Sequence, residues 1–137
     1  VYIDTSEVAH IDGGKGQLIY RGYDINELAD RASFEEVSYL LWNDDLPTSA
    51  QLAAFREALA PHFGLDERVI EILRKLPKET DPMHAVRTAV SALAAFDENP
   101  DDLSSENLRR VGLRLLAKFP TLTAAFERIR KDREPLE

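Results

Sequence analysis

Three histidines, His10, His62 and His84, are the side chains best suited to proton transfer near neutral pH. None has a histidine or carboxylate neighbour at a spacing that makes a convincing metal pair. His84 with Asp81 is an i, i+3 couple at the start of a helical pattern, where capping by Asp81 is the simpler use of that carboxylate. The acid pairs Glu35-Glu36, Asp44-Asp45 and Asp101-Asp102 resemble acid/base machinery only on paper. Adjacent residues on a helix point in different directions, so these read as solvated surface. Arg87 stands in an otherwise apolar helical stretch, and we expect it to pair with a carboxylate across a helix contact rather than to hold an anionic ligand. No G-x-S-x-G nucleophile elbow is present. With no cysteine in the chain, thiolate metal sites, disulfides and a cysteine nucleophile are excluded.

The stretch "HIDGGKGQLIYRGYDI", His10 to Ile25, raises the question of a phosphate cradle. A P-loop needs G-x-x-x-x-G-K-[ST] between a strand and a helix. Here Gly16 follows Lys15 where Ser or Thr should stand, and a strand-like run follows where a helix should. The dinucleotide pattern G-x-G-x-x-G also fails, because Gln17 to Tyr20 contains no glycine. Asp-Gly-Gly between two strand-like runs is a hairpin signal, since glycine tolerates positive φ.

The elements that would position any site are helices. From Asp24 onward each apolar run is preceded by a capping residue: Asp24, Ser33 with Glu36, Thr48 with Gln51, Asp66, and Asp81 ahead of Pro82. Apolar residues recur at helical spacing in Phe34/Val37/Leu41, Leu52/Phe55/Leu59, Val69/Leu73/Leu76, Met83/Val86/Val90/Leu93 and a long stripe from Leu108 to Ile129. Pro120 falls inside that last stripe and predicts a kink or break near Phe119. The segment Pro82 to Phe96 is rich in small residues and carries little polarity beyond His84 and Arg87. It suits a central core helix or a helix packed across a subunit interface.

The expected fold is therefore mainly α, with a β-hairpin over residues 1–23 and helices over 24–137. With 44% apolar and 31% charged residues in 137, the composition is that of a globular protein, not a disordered tail. A formal net charge of −8 and the scatter of Lys and Arg among acids argue against a nucleic-acid partner. The mildly basic end, Arg128, Arg130, Lys131 and Arg133, suits a helix C-terminus. No apolar run reaches the ~18 residues of a transmembrane helix. Both ends of the chain read as cuts, since it opens at Val1 and stops directly after a helical pattern.

The order of motifs resembles the N-terminal part of citrate synthase. The chain has "HIDGGKGQLIYRGYDINELADRASFEEVSYLLWNDDLPT", where that family has an Ile-Asp-Gly turn, "G-x-L-x-Y-R-G-Y-x-I", "F-E-E-V-x-Y-L-L-W" and "L-P-T". "DPMHAVRTAVSAL" and "RLLAKFPTLTAAFERIR" follow in the family's order. The family's usual His-Pro-Met has become Asp81-Pro82-Met83, with a histidine instead at 84. The resemblance, which extends to 2-methylcitrate synthase, implies a multi-helical large-domain fragment of an acyltransferase that condenses acetyl-CoA with oxaloacetate. It implies a cytoplasmic homodimer joined through the Pro82–Phe96 helix, with no nucleic-acid or membrane partner. The two histidines and the aspartate of the family's chemistry, and the arginines that hold oxaloacetate, lie downstream of the matched segment. Accordingly we expect no catalytic, cofactor-binding or metal-binding residue in this chain, no cofactor held by it, and no activity from it alone. Acetyl-CoA is expected as a substrate of the parent enzyme. Pro61-His62-Phe63 lacks the arginine of NADH-inhibited members, so NADH regulation is not expected. A stand-alone, non-catalytic helical dimerisation module is the reading from another class.

Overall fold

A computed structural model describes residues 6–135. The chain divides into two compact units, Val1–Glu57 and Ala58–Glu137. No helix among the described residues is long and apolar enough to cross a membrane.

In the first unit, β1 (Ala9–Asp12), β2 (Gln17–Tyr20) and β3 (Tyr23–Asp24) form an antiparallel sheet in that order, with Ala9 opposite Tyr20 and Asp12 opposite Gln17. The glycine stretch is the β1–β2 turn. Asp12 Oδ1 accepts from the backbone N–H of Gly14 at 3.0 Å and of Lys15 at 3.1 Å, and Gly16 takes φ +63°. The side chain of Asp12 thus occupies the donors that a phosphate would need. The third strand was not foreseen. It exists because Arg21 (φ +46°) and Gly22 (φ +88°) turn the chain sharply enough for Tyr23 to pair with Tyr20.

Helix α1 (Ile25–Arg31) starts at Asp24, whose side chain accepts from Asn26 N–H, and it buries Leu28. Helix α2 (Phe34–Asn43) starts with the full Ser33/Glu36 capping box. Its buried face centres on Leu40 rather than on Phe34, which is exposed. Helix α3 (Ser49–Leu59) begins with a reciprocal Thr48/Gln51 pair. Phe55 receives Tyr39 and Trp42 edge-on, at centroid separations of 5.6 and 6.1 Å. Arg21 fastens the sheet end to the C-terminus of α2, reaching the Asp44 carboxylate at 2.7 Å.

The second unit holds a 3-10 turn (Ala60–His62), α4 (Glu67–Lys75), α5 (Pro82–Ala95) and α6 (Ser105–Ile129). Its core is Val69 and Leu73 of α4, Ala85, Ala89 and Leu93 of α5, and Leu122, Ala125 and Phe126 of α6. The alanines matter because a methyl side chain lets two backbones approach closely, and the larger Leu and Phe of the neighbours then fill the space. Asp66 caps α4 and Asp81 caps α5, as their positions suggest. Two expectations need correction. The stripes through Met83, Leu108 and Phe119 are off-centre, for all three side chains are exposed. And of the kink or break expected near Phe119, the break does not occur: α6 continues as helix past Pro120. The proline removes one N–H and crowds Leu116, but the packing of Leu122, Ala125 and Phe126 beyond it keeps the helix in register.

Candidate functional site

The densest charge cluster with a cavity beside it lies between the end of α5 and the first half of α6. Arg110, Arg114 and Lys118 recur at four-residue intervals and so line one face of α6. Asp97, just past α5, has a side chain only 6% exposed and receives Arg110 Nη2 at 2.7 Å as well as Arg114 Nη1. Its Oδ1 also accepts from Asn99 N–H at 2.9 Å. Hydrogen bonds from Arg110 and Asn99, together with the charge of Arg114, hold its carboxyl down at about 2. Asn107 is buried and completes the lock. Its amide donates to the carbonyls of Asn99 and Asp102, and its oxygen accepts from Arg110 Nε at 2.8 Å. Beside the cluster lies a cavity of about 250 Å³ lined by Val90, Leu93, Ala94, Val111 and Leu115 together with Asp97, Arg114 and Lys118.

This arrangement ties the end of α5 to α6. The carboxyl of Asp97, held down at about 2 and bonded to two guanidiniums, stays ionised near neutral pH. Lys118 Nζ is likewise occupied, donating to the carbonyls of His62 and Gly64. Among the described residues no group of three or more His, Cys, Asp or Glu gathers as a metal site would require.

The three histidines stay apart in role. His10 is exposed on β1 and belongs to the first unit. His84 is exposed on α5, where Asp81 caps the helix by accepting from Met83 N–H at 2.9 Å. His62 is half-buried beside α6, and burial, Lys118, Arg114 and Arg110 all push its imidazole below the ordinary histidine value. Arg87 does not make the expected ion pair. It is exposed and has no salt-bridge partner among the described residues. The Asp97–Arg110–Arg114 lock was not read from the sequence. Its only signal there is the four-residue spacing of the cations after an Asp-Glu-Asn-Pro turn, and that spacing does not name the acid that answers them.

Comparison with known proteins places the whole chain in one setting. The family model described as citrate synthase, C-terminal domain, matches residues 1–137. A citrate synthase of Haloferax volcanii is 44% identical over 100% of this chain and 37% of its own length. The 2-methylcitrate synthase 2 of Corynebacterium glutamicum is 41% identical over 96% of this chain and 34% of its own. Among solved structures, citrate synthase from Pyrobaculum aerophilum superposes with a TM-score of 0.87 at 33% identity, over 100% of this chain and 36% of that one. A ternary complex of carboxymethyl coenzyme A and oxaloacetate with citrate synthase from Thermoplasma acidophilum gives 0.91 at 28% identity, over 99% and 36%. The chain thus spans about a third of the length of the relatives it matches.

Proposed function

The chain belongs to the citrate synthase family, and from that premise we propose that it is a portion of an acyltransferase condensing acetyl-CoA with oxaloacetate to citrate and CoA. The observation that carries this reading is the 44% identity to a citrate synthase across the full chain. The matched family model is described by a C-terminal domain, yet we place this portion toward the N-terminus of the whole enzyme, on the order of its motifs from the Ile-Asp-Gly turn onward.

The condensation needs a base at the acyl methyl group, a donor for the enolate oxygen and a polarising group at the ketone. We assign none of these to this chain. On this reading its residues contribute scaffold, it binds no cofactor, and acetyl-CoA is a substrate of the complete enzyme. The exposed face of α5, Met83, Arg87, Ser91 and Ala95, is then the contact with a second copy, and the enzyme works in the cytoplasm, which suits a chain without cysteines. A 2-methylcitrate synthase is the second reading, favoured by the 41% identity to that enzyme.

The test is CoA release by the complete protein with oxaloacetate and either acetyl-CoA or propionyl-CoA. Faster turnover of acetyl-CoA supports the first reading, faster turnover of propionyl-CoA supports the second, and no release with either rejects both. The residues 1–137 produced alone should release no CoA; release by them would overturn the scaffold assignment.

A further inference from the structure

The turn that leads from α3 into α4 packs Leu65 against the core and is tied to α6 by a cation. Lys118 Nζ donates to the carbonyl of His62 at 3.2 Å and to that of Gly64 at 2.5 Å. These carbonyls lie at the end of α3 and its 3-10 continuation, where the last C=O groups have no partner within the helix. A lysine there satisfies them and meets the negative end of the helix.

Lys118 does not stand alone. Arg114 and Arg110 follow it along the same face, making a column of three positive charges. The acids that answer them are already engaged. Asp97, from the end of α5, is taken by Arg110 and Arg114. Burial and the charge of Arg114 lower the affinity of Lys118 for its proton; Asp66, just before α4, offsets this only in part, its oxygens being bound by Arg68. His62 is half-buried, and its own carbonyl is one of the two that Lys118 holds. Burial, Lys118, Arg114 and Arg110 all disfavour the charged form of its imidazole.

We propose that His62 is an acid-operated release for the 60–66 turn: a proton on its imidazole adds a fourth positive charge to the Lys118 column and lifts the turn from α6. Phe63, Gly64 and Leu65 form one wall of a groove whose other wall includes Pro120, Thr121 and Ala124 of α6, so release of the turn opens that groove. The direction follows from linkage. The closed form binds the His62 proton less tightly than the open one, so closure is at full strength above the ordinary histidine range and weakens as pH falls below it.

Hydrogen–deuterium exchange on the complete polypeptide tests this, comparing peptides across 58–66 with a reference peptide from α2, at about pH 8 and about pH 5. After correction for intrinsic rates, the 58–66 peptides should exchange severalfold faster at the lower pH while the reference does not. His62→Gln should remove that pH dependence. Lys118→Met, which lacks the clamp, should exchange fast at both pH values. Unchanged exchange in the wild type, or a pH dependence that survives in His62→Gln, overturns the proposal. Neither result depends on which acyl-CoA the enzyme uses.

Discussion

Asp97 is the polar residue on which the α5–α6 contact turns. Two guanidiniums face one nearly buried carboxylate, and neither has a second acid as ion-pair partner among the described residues. Asp97→Ala strands both charges, and because Arg110 is 40% exposed water compensates in part. The expected loss is about 2 kcal/mol, below the range for a fully buried pair. Urea denaturation of the variant against the wild type measures it, and an unchanged midpoint would reduce the cluster to decoration. The pH dependence has a definite sign. The folded carboxyl titrates at about 2, below its unfolded value, so its contribution is whole above about pH 4 and disappears as pH falls through about 2. Between pH 5 and 8 Asp97 should therefore leave stability flat, and acid unfolding of Asp97→Asn should start from a lower plateau with a shallower slope. Sequence reasoning had no means of finding this residue. A carboxylate in a turn looks like every other solvated acid until the fold brings two arginines from thirteen and seventeen positions away.

At the scale of elements much more was legible, because the signals are local. The capping residues Ser33, Thr48, Asp66 and Asp81 each act within three residues of themselves, so the sequence carries the whole interaction. The hairpin was legible for the same reason: Asp12 closes its own turn. Two features were not. The third strand depends on Arg21 adopting positive φ, which is rare outside glycine, and the side chain is steadied by Asp44, far along the chain. Helix α6 survives Pro120 because burial beyond the proline outweighs the local penalty, a balance that periodicity cannot weigh. That balance makes a prediction. Pro120 is exposed and mid-helix, so Pro120→Ala restores a hydrogen bond and relieves crowding, worth about 3 kcal/mol in a helix interior, less about 1 kcal/mol for the added freedom of the unfolded chain. A gain of about 2 kcal/mol in urea is expected. A destabilised variant would mean that the proline sets the course of α6 for a packing reason that outweighs its cost.

At the scale of the whole molecule the decisive element is α5. Its two faces differ in kind. One, Ala85, Val86, Ala89 and Leu93, is buried within the second unit. The other, Met83, Arg87, Ser91 and Ala95, is exposed, with Met83 at 70%. On that second face Ser91 and Ala95 are small enough to allow close approach, and a methionine as exposed as Met83 is suited to a partner. On the reading that the partner is a second copy, the same face meets itself across a two-fold axis, so one substitution acts twice. Ser91→Glu would bring two carboxylates into a setting that excludes water, a cost that Arg87 one turn earlier offsets only in part. Light scattering at high micromolar concentration should find the wild type dimeric or larger and Ser91→Glu monomeric, with far-ultraviolet circular dichroism unchanged because residue 91 is exposed in the single chain. If both proteins run as monomers, α5 is covered by something other than its own copy. If Ser91→Glu remains a dimer, the contact lies on another face, and the small residues of α5 answer only to the core formed with α4 and α6.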